Sequence, residues 1–129
     1  LHPSRYGDLL REKLNAHKAQ VWLVNTGCIG GLAGEVPRIP LKHTRTLLTA
    51  ALEGKLAQVP TQHLPEFGLY VPAHCPDVPS DILNPKSVWK DQKTYQEKVR
   101  ELAGQFRENF KRWEDRVSAD VRAAAPKAS

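Results

Sequence analysis

Methionine, cysteine and long apolar runs are what this sequence has least of. Its 129 residues contain no methionine and two cysteines, Cys28 and Cys75. Two cysteines are too few for the disulfide framework of a small secreted protein, so we expect two free thiols in a reducing compartment. The longest apolar run covers residues 21–24, whereas a membrane-spanning helix needs roughly eighteen apolar residues in succession. We therefore expect neither a disulfide scaffold nor insertion into a membrane.

Groupings of metal ligands are missing as well. The sequence has no C-x-x-C pair, and each of its five histidines stands apart from the others: His2, His17, His43, His63 and His74. Protein zinc sites usually draw on closely spaced cysteine and histidine pairs. The sequence predicts no metal site of its own.

The first residues lack the pattern of a secretory signal. The chain begins at Leu1, without an initiator methionine and without the charged and apolar regions of a secretory leader. We expect a processed or excerpted chain. We place it in the cytoplasm, or in the mitochondrial matrix if it is a processed subunit recruited to a larger assembly.

The formal net charge is +5, which by itself suits nucleic acid, anionic lipid, phosphorylated metabolites or plain solubility. The arrangement of the charges disfavours nucleic acid. Basic residues in the last long helical segment alternate with acidic ones, and no basic run is interleaved with stacking aromatic residues. That helical segment is predicted to present an ordinary solvated face.

Apolar residues recur at helical spacing in four places. We predict helices near residues 4–17, 43–56, 91–114 and 118–124, with Ser4 capping the first and Asp91 capping the third. Gly104 lies inside the third helix, where glycine is unfavourable, and is taken to indicate a close packing contact. At 129 residues with 40% hydrophobic content, the chain is one domain's worth of sequence with a modest core.

Two short apolar runs are predicted strands. Residues 20–25 form a continuous run that is typical of a strand covered on both faces, and residues 67–71 form a second run bracketed by Pro65 and Pro72. Between them and the long helix, residues 72–85 carry four prolines, which predicts an extended surface crossing without regular structure. Helices alternating with strands predict an α/β fold.

A glycine-punctuated loop, G-C-I-G-G-L-A-G at residues 27–34, follows the first strand. It matches neither the phosphate-binding G-x-x-x-x-G-K-[ST] pattern nor the dinucleotide fingerprint G-x-G-x-x-G. Taken alone, the loop is interpreted as an irregular turn. Arg38, a few residues further on beside Pro37, is by the same reasoning a solvated arginine.

Six ordered motifs change that interpretation. They are L-H-P-x-x-Y at 1–6, V-N-T-G at 24–27, R-I-P-L-x-x-T-R at 38–45, F-G-L-x-V-P at 67–72, I-L-N-P at 82–85 and A-x-x-F-x-x-N-F at 103–110. With these motifs the chain resembles the C-terminal part of ATP-dependent phosphoenolpyruvate carboxykinase over essentially its whole length. The resemblance implies a partial mononucleotide-binding lobe of the carboxykinase fold, with few strands flanked by helices. It implies one segment, 1–129, made of an α/β part at 1–90 with a nucleotide loop at 26–45 and C-terminal helices at 91–129.

The resemblance also implies a nucleotide site at Arg38, Ile39 and Thr44, the residues that match the family's adenine-binding positions. A guanidinium can stack on a purine, an apolar side chain can cover its face, and a hydroxyl can bond to its edge. The intact family enzyme uses ATP and a divalent metal to convert oxaloacetate to phosphoenolpyruvate, carbon dioxide and ADP, a decarboxylating lyase reaction of gluconeogenesis. Its P-loop, metal ligands and oxaloacetate-binding residues all precede the part that this chain resembles.

Two functions are therefore expected. In the first, the chain is a segment of the carboxykinase that contributes adenine binding, has no catalytic residues and binds no cofactor tightly by itself; its partner is the upstream part of the enzyme. In the second, it is a non-catalytic carboxykinase-like subunit of a larger protein assembly. Two departures from the family pattern favour the second function. Cys28 stands where the family commonly has tryptophan. Pro37 stands directly before Arg38, in a stretch where the family has glycines.

Overall fold

The structure, a computed structural model, describes residues 2–127. This part of the chain is mixed α/β, with five α-helices and one two-stranded antiparallel sheet. The partial α/β lobe predicted from the sequence is confirmed. In chain order the elements are α1 (Pro3–His17), α2 (Leu41–Leu52), β1 (Thr61–Leu64), β2 (Leu69–Pro72), α3 (Pro85–Val88), α4 (Gln92–Phe110) and α5 (Ala119–Ala123).

The first helix, α1, begins one residue earlier than predicted. His2 is its N-cap, because His2 Nδ1 accepts a hydrogen bond from the Ser4 amide at 3.2 Å. Pro3 follows at the first helical position, where its missing N–H costs nothing. The prediction of Ser4 as the cap was wrong. At the other end Lys18 adopts a left-handed conformation with φ of 49° and closes the helix through a bond from its amide to Leu14.

The second helix, α2, is shorter than the predicted 43–56. It ends at Leu52, because Gly54 takes a positive φ of 73° and turns the chain into a 3₁₀ helix, Lys55–Gln58. Ala50 on α2 and Leu56 on the 3₁₀ helix are both 4% exposed and lie in the main core cluster with Cys75 and Val78. Trp22, Leu47, Ala51, Ile82 and Leu83 pack around this cluster.

The predicted strand at 20–25 was wrong. Residues 19–26 have no regular secondary structure, and no strand among residues 2–127 pairs with them. The segment is apolar, but the cover expected on both of its faces is missing from residues 2–127, and a β-strand exists only where a neighbour accepts its backbone hydrogen bonds. Leu23 in this segment is 79% exposed.

The strand predicted at 67–71 is β2 and begins two residues later. It pairs with β1 in antiparallel register, with His63 opposite Tyr70 and Leu64 opposite Leu69. Gly68, with φ of 63°, completes the turn between the strands. The sequence reasoning missed β1, because its residues T-Q-H-L have no apolar run and gain strand conformation only by pairing with β2.

The proline-rich crossing also has structure that was not predicted. It contains a 3₁₀ helix, Ser80–Leu83, and leads directly into α3. Its buried residues Cys75 and Val78 are joined by an antiparallel bridge and lie in the core. The segment therefore supplies core side chains as well as spanning a surface.

The long helix α4 ends at Phe110, earlier than predicted, and its N-cap is Asp91 as expected, since the Asp91 side chain accepts from the Lys93 amide. Ala103 on α4 has no exposed surface. A Cβ added at the neighbouring Gly104 would meet nothing within 4 Å. The close contact expected at Gly104 is therefore absent from the described residues. Edge-to-face packing of Phe106 on Phe67, with ring centroids 6.4 Å apart, joins α4 to the hairpin turn.

The core is small for the length of the chain. Its accessible surface is 9648 Å², whereas a folded monomer of this mass exposes about 6,900 Å² by the usual scaling of surface with mass. Among residues 2–127, fifteen large hydrophobic side chains are exposed, including Leu23, Leu52 and Tyr70. The chain thus exposes apolar surface that a self-contained domain would bury.

Candidate functional site

The loop that follows residues 20–26 is closed at its base by backbone bonds. The Ile39 amide donates to the Gly27 carbonyl at 2.7 Å, and Cys28 and Arg38 form an antiparallel bridge. At the tip, the Glu35 amide donates to the Leu32 carbonyl at 3.0 Å. The loop is therefore an ordered, hairpin-like excursion that returns the chain to the start of α2.

Three of its glycines are required by geometry. Gly30 and Gly34 have positive φ values of 90° and 94°, a conformation that residues with a Cβ rarely adopt. Gly31 packs against Val36, where an added Cβ would lie 2.6 Å from Val36 Cγ1. The loop's glycines thus serve its own folding and packing, which supports the interpretation of an irregular turn for the glycine run itself.

Thr44 lies in the first turn of α2, which begins at Leu41 after Pro40. Its residue exposure is only 9%. The hydroxyl of Thr46, two positions further on, donates to the Lys42 carbonyl at 2.9 Å. The Thr44 hydroxyl makes no side-chain hydrogen bond within residues 2–127, and no buried side-chain oxygen in this range is left wholly enclosed without a partner. The Thr44 oxygen therefore keeps some accessible surface.

Ile39 and Thr44 both line a cavity of about 590 Å³. Its remaining walls come from residues 21–26, from Gly68 and β2, and from the inner face of α2 with Leu56, Ile82 and Leu83. We call it the α2 cavity. Two of the three residues predicted to bind a nucleotide thus share one concave surface.

Arg38 lies outside the α2 cavity. Successive side chains of an extended segment point to opposite sides, so the placement of Ile39 in the cavity turns Arg38 away from it. Arg38 is exposed, and no acidic side chain within residues 2–127 forms an ion pair with it.

The α2 cavity is uncharged. None of its lining residues is acidic or basic, and its polar side chains include Asn25, Thr26 and Thr44. Such a surface suits an apolar or aromatic group with a few hydrogen-bonding edges, and it offers no cation for a phosphate. The sequence reasoning included Asn25 and Thr26 in the V-N-T-G motif, and Thr26 in the nucleotide loop 26–45, but named neither as a binding residue.

Ionisable groups in the rest of the described chain do not form a second site. Burial raises the pKa of the Cys75 thiol, and the nearby Asp77 carboxylate raises it further, so Cys75 is a poor nucleophile. Within residues 2–127 no three histidine, cysteine, aspartate or glutamate side chains are grouped closely enough to bind a metal ion. None of the helices in this range combines the length and hydrophobicity needed to cross a membrane.

Comparison with known proteins identifies the family. The sequence profile of phosphoenolpyruvate carboxykinase matches residues 1–81, which include the whole loop, Arg38, Ile39 and Thr44. The chain belongs to the phosphoenolpyruvate carboxykinase family. The resemblance inferred from the six motifs is confirmed.

Relatives from several bacteria match almost the entire chain. It is 48% identical over 124 residues to phosphoenolpyruvate carboxykinase (ATP) of Rhodopseudomonas palustris strain TIE-1. It is 44% identical over 124 residues to phosphoenolpyruvate carboxykinase (ATP) 2 of Salinibacter ruber. Each of these two matches covers 96% of this chain but 23% of the relative. The carboxykinase chain described here therefore spans about a quarter of the length of the relatives it matches.

Proposed function

We propose that this chain is the adenine-binding C-terminal segment of an ATP-dependent phosphoenolpyruvate carboxykinase. The intact protein would convert oxaloacetate and ATP to phosphoenolpyruvate, carbon dioxide and ADP, a step of gluconeogenesis in the cytoplasm. The observation that carries the proposal is the shared position of Ile39 and Thr44 on the uncharged α2 cavity. A purine is an uncharged aromatic ring with hydrogen-bonding edges, and this surface complements it.

Each of the three residues has a distinct part in binding. Ile39 covers one face of the base, and the Thr44 hydroxyl, which has no protein partner in the described chain, hydrogen-bonds to an edge of the base. Arg38 swings over the mouth of the cavity and stacks its guanidinium on the exposed face. Binding the base fixes the orientation of ATP. Phosphoryl transfer depends largely on such positioning, to which a binding group far from the reacting phosphate can contribute.

The triphosphate, the metal and oxaloacetate would be bound by other parts of the enzyme. The α2 cavity has no basic lining residue, and the described chain has no cluster of metal ligands. A divalent metal would neutralise charge on the transferring phosphate in the intact enzyme. The partner of this chain is accordingly the upstream part of the carboxykinase.

A second function is favoured by one observation, the position of Arg38 outside the α2 cavity. If Arg38 cannot reach a base, the chain is a carboxykinase-like lobe retained as a non-catalytic component of a larger protein assembly. Pro37 fixes φ immediately before Arg38 and limits how far the backbone can adjust. The two functions differ in whether Arg38 affects nucleotide binding.

A chimeric enzyme separates them. In it, the 124 matched residues of the Rhodopseudomonas palustris TIE-1 carboxykinase are replaced by the matching residues of this chain; we call this protein the chimera. We expect the chimera to be active, and Arg38→Ala to raise its KM for ATP about tenfold, a loss of the size expected for a partly desolvated cation–π contact. Arg45→Ala, which removes an exposed arginine that does not line the cavity, is the matched control and should leave KM unchanged. A soluble chimera that does not bind ATP would contradict the adenine-binding role.

A further inference from the structure

The hairpin of β1 and β2 forms one wall of the α2 cavity. Thr61 of β1, the turn residue Gly68 and all four residues of β2 line the cavity. Tyr70 is the aromatic residue of this wall, and His63 of β1 stacks on its ring with 4.8 Å between the ring centroids. A change in the position of the hairpin would therefore change the surface that faces the base.

The hairpin is firmly joined to the core at one end. A two-stranded sheet is at best marginally stable by itself in water, so its position depends on contacts with the rest of the chain. At the open end, Pro72 is buried and the Ala73 amide donates to the Pro60 carbonyl at 2.8 Å. The turn, residues 65–68, lies the length of a four-residue strand away, about 13 Å. It needs contacts of its own to keep its place.

Helix α4 contacts the side chains of the turn. Phe106 packs edge-to-face on Phe67, with ring centroids 6.4 Å apart. Tyr95, also on α4, lies near Glu66: burial raises the pKa of the Tyr95 phenol, and the Glu66 carboxylate raises it further. These contacts place the turn beside α4 but do not bond its backbone.

The backbone of the turn is bonded by residues 124–127, which follow α5 and which we call the C-terminal segment. The Lys127 amide donates a hydrogen bond to the Glu66 carbonyl at 2.8 Å. The Ala124 carbonyl lies beside Gly68, where an added Cβ would be 3.6 Å from the carbonyl oxygen. Within residues 2–127, the Lys127 bond is the one backbone hydrogen bond that joins the turn to a residue outside the hairpin.

We propose that Lys127 is a positioning residue for nucleotide binding: its backbone amide, through the Glu66 carbonyl, holds the hairpin turn so that β2 lies against the base in the α2 cavity. The proposal rests on the proposed function, because it takes a base as the occupant of the cavity. It goes beyond that function by giving the C-terminal segment, which does not line the cavity, a part in ATP affinity. The exposed Lys127 side chain has no part in this role.

The hydrogen bond acts on the cavity wall through a short path. Gly68, two residues after Glu66, already lines the cavity, and Leu69 follows it as the first residue of β2. Without the bond, the turn is free at its backbone, and ATP has to order the hairpin as it binds. Such ordering lowers affinity. Because the base is bound equally in the ground state and the transition state, the loss should appear in KM and not in kcat.

Removal of the Lys127 N–H in two ways tests the proposal. For this purpose the chimera is extended to contain this chain through Ser129; we call this protein the extended chimera. In it, Lys127→Pro removes the donor, since proline has no N–H, and truncation after Pro126 removes the whole residue. Each variant should raise the KM for ATP about three- to tenfold, the range expected for loss of one hydrogen bond, with kcat unchanged. Lys127→Ala retains the N–H and is the matched control, so its KM should equal that of the extended chimera.

Hydrogen–deuterium exchange on the same proteins measures the turn itself. The Phe67 amide donates to the Leu64 carbonyl at 3.2 Å inside the turn. It should exchange about tenfold faster in Lys127→Pro and in the truncated protein, because the turn then opens more often. The Ala73 amide at the open end of the hairpin is the reference and should keep its rate. Lys127→Ala should change neither amide.

Each of the remaining outcomes counts against the proposal. An unchanged KM in Lys127→Pro, in an extended chimera that binds ATP, would overturn it and leave the adenine-binding role intact. Faster exchange at Phe67 with an unchanged KM would also overturn it, because Lys127 would then hold the turn without affecting the base. A KM raised equally by Lys127→Ala would assign the effect to the side chain. A soluble extended chimera that does not bind ATP would refute the adenine-binding role, and this proposal with it.

Discussion

Ile39 donates its backbone amide to the carbonyl of Gly27 at 2.7 Å, and this bond connects the two ends of the glycine loop. Gly27 ends the apolar segment that lines one wall of the α2 cavity, and Ile39 leads through Pro40 into α2. The bond therefore sets the distance between that wall and Thr44 in the first turn of the helix. The order of the loop and the shape of the cavity are linked through this one contact.

Packing at Gly31 should control the stability of the hydrogen bond between Ile39 and Gly27. A Cβ at position 31 would lie 2.6 Å from Val36 Cγ1, and a branched side chain cannot yield easily. We expect Gly31→Ala to destabilise the closed loop by about 1–3 kcal/mol, the usual cost of overpacking. Hydrogen exchange should then speed up at the Ile39 amide by about tenfold or more, with α4 amides unchanged.

The double substitution Gly31→Ala with Val36→Ala should restore slow exchange at Ile39, because it removes the atom that the new methyl group meets. Gly27→Ala is the control within the same loop, since a Cβ there meets nothing within 4 Å. If Gly27→Ala and Gly31→Ala accelerate exchange equally, backbone freedom matters more than the contact with Val36.

Replacing Thr44 should have opposite effects on folding and on binding. Thr44→Val keeps the branched shape and removes a hydroxyl that has no side-chain hydrogen bond in the described chain, so the stability of the chimera should hold or rise. ATP affinity should fall about three- to tenfold, because a hydrogen bond of about 1 kcal/mol to the base is lost. Thr46→Val is the matched control: it breaks the bond to the Lys42 carbonyl, which is internal to α2, and should not alter ATP affinity. Calorimetry and thermal unfolding measure the two effects separately.

Acid should weaken the start of α4 through Asp91. A hydrogen bond from the Thr94 hydroxyl, followed by bonds from the Lys93 and Thr94 amides, holds the pKa of the Asp91 carboxyl below its usual range. Because the folded pKa is lower than the unfolded one, about 3.9, the ionised cap stabilises the fold at pH values above the unfolded pKa. That stabilisation disappears as the pH falls through the folded pKa.

Two substitutions isolate this effect. Asp91→Asn retains one capping oxygen but does not titrate, so its unfolding midpoint should lie below that of the native chain near pH 7 and fall less on acidification below about pH 4. Asp91→Ala should lower the midpoint near pH 7. Circular dichroism at several pH values would reveal both, and a parallel acid response of the native chain and Asp91→Asn would place the titrating group elsewhere.

The long helices were predictable from the sequence, whereas of the sheet only β2 was. Helices α1, α2 and α4 make their backbone bonds internally, so periodic apolar residues and caps such as Asp91 indicated them to within a few residues at most ends. The segment 20–26 has the composition of a strand, but its hydrogen-bond partner is not among residues 2–127. For the same reason β1, which depends on β2, gave no local signal.

The candidate site was predictable in part. The family motif selected Ile39 and Thr44, which the structure brings onto one cavity, and it also selected Arg38, which extended-chain alternation turns to the other side. Asn25 and Thr26 lie in the cavity wall directly before Gly27, whose carbonyl accepts from the Ile39 amide across the loop. Which residues on either side of the loop come together depends on how the loop closes, and the sequence pattern does not predict that closure.

The chain on its own should not distinguish ATP from adenosine. The α2 cavity contains groups that can contact a base, but no charged residue lines it, so the triphosphate gains no contact there. Binding a base through a few groups offsets little of the cost of ordering it, and we expect dissociation constants near or above about 1 mM for both ligands. Magnesium should not change either value. Titration of the 129-residue chain with ATP, adenosine and ATP plus magnesium, followed by NMR of the Ile39 and Thr44 amides, measures this directly. A preference for magnesium-ATP of tenfold or more would mean that the amides of the glycine loop bind phosphate, and that the loop has a ligand of its own.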